Sequence, residues 1–454
     1  MTAKTVTVIG AGPVGTLLAI SLANKGYRVG VYEGRPDSRK TDIYQGKSIN
    51  IALSDRGWSS LEKLGVVDAA KTSAIPMYQR AIHNLDGSQS AIPYGRDDEA
   101  IWSVSRAGIN HSLLDIAEAH PAITLHFQHR LIGIDLETAE ARFQIDSGDE
   151  IQVQADLAFG ADGANSRVRR TAHEFPRFSY SQSYMEQCYI ELNIAPNEDG
   201  SCKLDPHALH IWPRKDFMLI ALANPDGSLT CTLFMNFRGE PSFESLRDEN
   251  AVQAFFEEYF PSALGLLENP VETFLSREPA PLFLVQVFPW SFSDKVALIG
   301  DAAHAIVPFY GQGMNCGFED CATLDSLIEE HNHDWPQIFK AYENQRKPNA
   351  DAIAELSKRN FVEMSDLSGD PMFQLRKKIE AKFSERFPEL WKPLYSMVTF
   401  SADLPYAEAL RLGDRQEQVM DQIMALPHIE RDWNEEQVMN QLRDLATASL
   451  GAAA

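Results

Sequence analysis

The sequence predicts an α/β protein that also carries an antiparallel-sheet domain and a C-terminal helical region. Three observations predict this. Residues 5–33, TVTVIGAGPVGTLLAISLANKGYRVGVYE, read as strand, glycine turn, helix and second strand. Residues 186–237 alternate apolar and polar in short runs, YIELNI, ALHIWP, FMLIALAN and LTCTLFMNF, with Asn-Pro-Asp-Gly at 224–227 as a turn. From about Pro336 onward strand-like runs cease and the pattern becomes helical and charged.

The opening unit is of Rossmann type. Residues 5–9 are an apolar β run, Gly10, Gly12 and Gly15 fit G-x-G-x-x-G, and Leu17, Leu18 and Leu22 recur at helical spacing until Lys25-Gly26. Gly10 allows the tight turn, Gly12 lets backbone N–H groups approach a pyrophosphate at the positive helix end, and Gly15 lets helix and strand pack closely. Glu33 closes the second strand, where a carboxylate accepts hydrogen bonds from an adenosine ribose. A carboxylate there suits an unphosphorylated ribose, so this unit favours FAD or NAD over NADP and leaves those two open. Further on, Arg106 begins a helical run, and strand-like pieces follow at 123–127, 141–146 and 151–155. LAFGADG then delivers Asp162 and Gly163 at a strand end, and KVALIGDAAH delivers Gly300 and Asp301. Ligands of α/β sheets sit at such ends, so one cofactor domain assembled from discontinuous segments is expected. Asp301 alone would equally suit a helix N-cap.

The formal charge of −23 and the pI near 4.9 argue against nucleic acid and against adhesion to acidic membranes. At 454 residues and 44% apolar, two or three domains are expected. Five cysteines, Cys188, Cys202, Cys231, Cys316 and Cys321, form no C-x-x-C pair, which points to reduced thiols in the cytoplasm. No apolar run approaches the roughly 18 residues a membrane helix needs. Cys316 and Cys321 lack metal-ligand spacing, and no His/Cys/carboxylate cluster suggests a metal. Gly311, Gly313 and Gly317 mark a glycine-rich entry into a long helix, whose N-terminus can stabilise negative charge on a reduced flavin ring.

Taken together, GAGPVG, SVSR, GADGANSRVR and GDAAHAIVPFYGQGMN resemble the FAD-dependent aromatic hydroxylases, the single-component flavoprotein monooxygenases. Five further stretches, GKSINIALSDRG (46–57), IPYGRDDEAIWSVSR (92–106), ALHIWPRKDFMLIAL (208–222), RNFVEMSD (359–366) and LYSMVTFS (394–401), are similar to the branch of that family that hydroxylates L-kynurenine. The resemblance implies a discontinuous FAD-binding domain (1–75, 99–180 and 279–335), a substrate-binding sheet domain (76–98 and 181–278) and a C-terminal helical region (336–454). Gly10, Gly12, Gly15 and Glu33 would hold the ADP half of FAD. Arg106, Asp162, Gly163, Asp301, Gly313, Met314 and Asn315 would contact the rest of it. NADPH would visit as co-substrate without a fold of its own, and oxygen would add to the reduced flavin as a hydroperoxide that hydroxylates L-kynurenine, a step of tryptophan catabolism.

The same resemblance places Arg80 and Tyr94 on the amino-acid carboxylate, with Asn360 and Tyr395 nearby. Ile220, Leu222, Phe234, Pro308, Phe309 and Met364 would line an aromatic pocket, although each also suits plain core. An arginine fork is the apt partner for a carboxylate taken into an apolar site. No residue is assigned a catalytic role, and His304 is read as a structural imidazole. Tyr310 and Lys47 depart from the family pattern, in which phenylalanine or histidine and arginine are common. A hydroxylase of another aromatic acid and a non-hydroxylase flavin redox or interaction module are the rival readings, and a homo-oligomer is left open.

Overall fold

In the computed structural model, which describes residues 4–41, 50–71, 73–96, 99–365 and 370–451, three segments of the chain meet in one six-stranded sheet. Thr5–Ile9 lies at its centre, parallel to Arg28–Tyr32 on one side and to Leu157–Gly160 on the other. Val296–Leu298 extends the sheet parallel to Leu157–Gly160, and Ile123–His126 extends it beyond Arg28–Tyr32. The register sets Ile9 beside Gly160 and Gly160 beside Leu298. Three C-terminal strand ends therefore share one edge, bringing Gly10, Asp162-Gly163 and Gly300-Asp301 together. Val8, Leu17, Leu18, Phe159 and Leu298 are fully buried around this sheet.

A second, seven-stranded sheet has its strands in the order Ala280–Phe288, Ser179–Ile194, Leu229–Asn236, Phe217–Ala223, Ala208–Arg214, Gln79–His83 and Gln89–Pro93. Every pairing in it is antiparallel except that of Gln79–His83 with Ala208–Arg214. Both faces are covered, which is why FMLIALA is apolar almost throughout. Alternation sends Phe217, Leu219 and Ala221 to one face, where Phe255, Phe256 and Phe260 pack. Met218, Ile220 and Leu222 go to the other face and enter a separate cluster with Phe234 and Phe309.

The expected boundary at 279 needs correction. Strand Ala280–Phe288 belongs to the seven-stranded sheet, where it pairs with Ser179–Ile194. Sequence periodicity also missed strand His129–Ile134, part of a three-stranded sheet with Glu140–Ile145 and Glu150–Gln154. Helices Glu249–Tyr259 and Pro270–Ser276, which cover the far face of the seven-stranded sheet, were missed as well.

The helix Trp335–Ser365 starts in the core of the first domain through Trp335, Ile338, Phe339 and Tyr342. It ends against the second sheet through Phe361 and Met364. Beyond it, helices Pro371–Arg386, Tyr406–Met424 and Glu436–Leu450 enclose a core of their own around Phe383, Trp391, Met420 and Leu442. Among the described residues, no helix is long and apolar enough to cross a membrane. All five cysteines are free.

Candidate functional site

Gly10 has φ +108°, and a Cβ there would lie 2.4 Å from the Ala161 carbonyl oxygen, so the turn requires glycine. Gly12 is the extended N-cap of helix Pro13–Asn24, and a Cβ at Gly12 would meet nothing within 4 Å. That open ground before a helix N-terminus fits a pyrophosphate. A Cβ on Gly15 would come within 2.1 Å of the Gly10 carbonyl oxygen, the close packing expected from the spacing. The Glu33 carboxylate accepts hydrogen bonds from the Ala11 N–H at 3.1 Å and from the Arg35 N–H and Nε at 3.0 Å each. It is thereby aimed across the glycine turn.

At the next strand end, Asp162 Oδ2 accepts from the backbone N–H groups of Arg167 (2.6 Å) and Val168 (3.2 Å). Among the described residues its Oδ1 is buried without a partner, and burial pushes its carboxyl pKa up. Gly163 follows at φ +75° with open space beyond it. Asp301 opens helix Asp301–His304, but the cap residue is Gly300, and no side chain caps that helix. The N-cap alternative therefore falls away, leaving the Asp301 side chain for other work. Arg106 is exposed at the start of helix Arg106–Ala119, and its charge reaches Tyr189 on the second sheet.

Gly313, Met314 and Asn315 form the first turn of helix Gly313–Glu330, whose leading N–H groups have no partner within the helix. The Asn315 side chain is fully engaged elsewhere. Its Oδ1 accepts from the Ser54 N–H at 3.0 Å, and its Nδ2 donates to the Ala52 and Gly311 carbonyls at 2.8 Å each. Asn315 can thus meet a cofactor through its backbone, while its side chain pins the helix start to strand Asn50–Leu53.

The substrate-side residues also converge. The Tyr94, Tyr395 and Tyr310 rings form a stack, with centroids 5.3 Å and 5.4 Å apart. The Arg80 guanidinium carbon lies 5.2 Å from the Tyr94 ring and 4.6 Å from the Tyr395 ring. Arg80 Nε and the Tyr94 hydroxyl are buried without a partner at hydrogen-bonding geometry among the described residues. Asn360 Nδ2 donates to the Phe309 carbonyl at 2.6 Å and contacts Met364 Sδ at 3.3 Å. Ile220, Leu222, Phe234, Phe309, Met364 and Tyr395 share one apolar cluster. Pro308 does not join it and is exposed at the head of the turn Pro308–Tyr310. Tyr310, singled out as a departure from the family, is a member of the stack. Lys47 lies outside the described residues.

One expectation is overturned by the fold. Ligand atoms of His304, Cys316 and Asp320 lie within 4.8 Å of one another, a His/Cys/carboxylate cluster that spacing did not reveal. The first of them comes from helix Asp301–His304 and the others from Gly313–Glu330, so tertiary packing creates it. Arg346 joins two of its members, donating from Nε to Asp320 Oδ1 at 2.6 Å and from Nη2 to the Cys316 carbonyl and Sγ at 3.0 and 3.2 Å. A guanidinium thus supplies the positive charge a metal would bring. Asp320 Oδ2 takes the His304 Nε2 proton donor at 2.6 Å and the Gly300 N–H at 3.2 Å. Burial opposes charge on His304, yet Asp320 holds the imidazole pKa well above its ordinary value. His304 is one member of a buried network with Asp320 and Cys316.

A family model described as an FAD binding domain matches residues 3–357. A kynurenine 3-monooxygenase of Christiangramia forsetii is 47% identical over 445 residues, covering 97% of this chain and 98% of that protein. A kynurenine 3-monooxygenase of Caenorhabditis elegans is 40% identical over 438 residues, covering 92% and 94%. Among solved structures, the tetrameric form of 2-methyl-3-hydroxypyridine-5-carboxylic acid oxygenase shares the fold, with a TM-score of 0.65 at 20% identity, covering 82% of this chain and 94% of that one. With identity of this level running over nearly its whole length, the chain belongs to the kynurenine 3-monooxygenase family of FAD-dependent aromatic monooxygenases.

Proposed function

We propose that this protein hydroxylates L-kynurenine to 3-hydroxykynurenine with NADPH and O2, using bound FAD. The carrying observation is the buried polar end of an otherwise apolar cluster, where, among the described residues, Arg80 Nε and the Tyr94 hydroxyl lie beside the Tyr395 ring without a hydrogen bond of good geometry. A buried unpaired donor costs about 1–3 kcal/mol, which an anionic ligand group relieves. The substrate carboxylate would take both donors, and the aromatic ring would extend between Ile220, Leu222, Phe234 and Phe309.

FAD, when bound, would supply the activation of O2, and the oxygen atom transferred comes from O2. Gly12 and the N-terminus of Pro13–Asn24 would hold its pyrophosphate, Glu33 its ribose, and the first turn of Gly313–Glu330 its ring. The unpaired Asp162 Oδ1 and the freed Asp301 carboxylate supply acceptors for its hydroxyl-bearing chain. The chain's own residues orient the substrate ring and exclude water. The ring amine of kynurenine already donates electron density to the neighbouring carbon, so no strong protein base is demanded.

The decisive assay is NADPH oxidation with and without L-kynurenine, with 3-hydroxykynurenine and hydrogen peroxide measured together. Stimulated oxidation with stoichiometric hydroxylated product is expected. Turnover of a benzoate-type acid in preference, or peroxide alone, would sink the proposal. For the cofactor half, Gly15→Ala is expected to yield protein largely stripped of flavin, because the methyl would press on the Gly10 backbone. The ratio of flavin absorbance to protein after purification measures this, and a wild-type ratio would refute it.

A further inference from the structure

The polar end of this apolar cluster carries more charge than a carboxylate alone requires. Asn360, Glu363 and Met364 fall at i, i+3 and i+4 on helix Trp335–Ser365, which places them on one face. The Asn360 bond to the Phe309 carbonyl turns that face toward the cluster that holds Phe309 and Met364. Glu363 is half-buried there, and its charge acts on Arg80, Tyr310 and Tyr395. Burial raises the pKa of Tyr94, Tyr310 and Tyr395 alike, so these rings are neutral at pH 7. Of the groups acting on Arg80, Glu363 is then the one that bears negative charge.

Lys377, on helix Pro371–Arg386, holds Glu363 at 3.4 Å and Glu380 at 3.6 Å, and lies close enough to feel the repulsion of Arg80. Arg80, Glu363, Lys377 and Glu380 therefore alternate in sign. An α-amino acid has the matching zwitterion, with its carboxylate for Arg80 and its ammonium for Glu363. The primary ammonium of Lys377 already pairs with that carboxylate in the ligand-free chain.

We infer that Glu363 selects α-amino acids by accepting the substrate α-ammonium, and that Lys377 keeps this place until the substrate displaces it toward Glu380. The inference rests on the reading that Arg80 takes the substrate carboxylate. Glu380 makes the exchange feasible, because the displaced lysine keeps a partner and no charge is stranded.

The test compares L-kynurenine with its analogue lacking the α-amino group, 4-(2-aminophenyl)-4-oxobutanoate, in wild type, Glu363→Gln and Lys377→Met. FAD content and thermal midpoint serve as controls for folding. Glu363→Gln is expected to raise KM for L-kynurenine by about 10-fold or more and to leave the analogue unchanged. Lys377→Met is expected to lower KM for L-kynurenine, with kcat held, and to bring no gain for the analogue. Equal shifts for both compounds in Glu363→Gln, or a raised L-kynurenine KM in Lys377→Met, would overturn the inference. Should Glu363→Gln fail to fold, the Lys377→Met result decides. Wild type that hydroxylates neither compound would instead refute the proposed function itself.

Discussion

Replacing Arg80 with methionine is expected to raise KM for L-kynurenine by about 100-fold or more while leaving flavin content at the wild-type level. The guanidinium lies beside the stacked Tyr94 and Tyr395 rings, 5.2 and 4.6 Å from their centroids, so its position is set before any ligand arrives. Burial works against its charge, but Tyr395, Tyr94 and Glu363 together hold its pKa above the ordinary arginine value, so it is a cation at any working pH. Methionine fills the space and cannot offer a donor. Lysine in its place is expected to restore only part of the loss, since a point charge lacks the planar fork that engages both carboxylate oxygens. A substrate bound without this anchor sits less well against the flavin, so the Arg80→Met variant should also release more hydrogen peroxide per NADPH consumed. Steady-state kinetics with product and peroxide quantified would check both effects. An unchanged KM would remove the carboxylate from this end of the pocket.

Asp320→Ala is expected to produce the largest loss of stability, about 3–5 kcal/mol, because it leaves His304 and Arg346 as buried cations without their shared anion. It also frees the Gly300 N–H, which holds the strand end before Asp301. Thermal unfolding should show the loss, and flavin should be retained less tightly. The pH dependence has a definite sign. Burial alone would raise the Asp320 pKa, but His304 and Arg346 lower it below 3.8, while the His304 pKa is raised above 6.5. The contribution of the pair is full between pH 3.8 and 6.5. It falls away as pH drops toward the depressed Asp320 value and as pH climbs toward the raised His304 value. A thermal midpoint for Asp320→Ala equal to that of wild type across this range would show that the network is not structural.

The cofactor half was legible because its chemistry is local. The glycine spacing sits inside one turn, where a Cβ on Gly15 would meet the Gly10 carbonyl, although the contact that requires glycine at Gly10 comes from the distant Ala161; an apolar run of five followed by helical leucine spacing marks strand and helix without distant help. The antiparallel sheet was legible because short apolar, β-prone runs bounded by turn residues are a property of each strand alone, even where both faces are covered. Strand Ala280–Phe288 was misplaced because nothing in APLFLVQVF states which sheet it will join. The helices at 249–276 were missed because their apolar residues pack on a sheet face whose partner lies far away in sequence.

Residue types by themselves pointed to a dinucleotide at the edge of a parallel sheet, and the resemblance to the family named candidate residues for a substrate side. Tertiary structure alone decided how charge is arranged. It set the Tyr94–Tyr395–Tyr310 stack beside Arg80, paired Lys377 with Glu363, and buried Asp320 between His304 and Arg346. The physical reason is range. Steric and periodic constraints act between near neighbours and are written in the order of residues, whereas ion pairs and ring stacks join groups whose separation in sequence bears no relation to their distance in space.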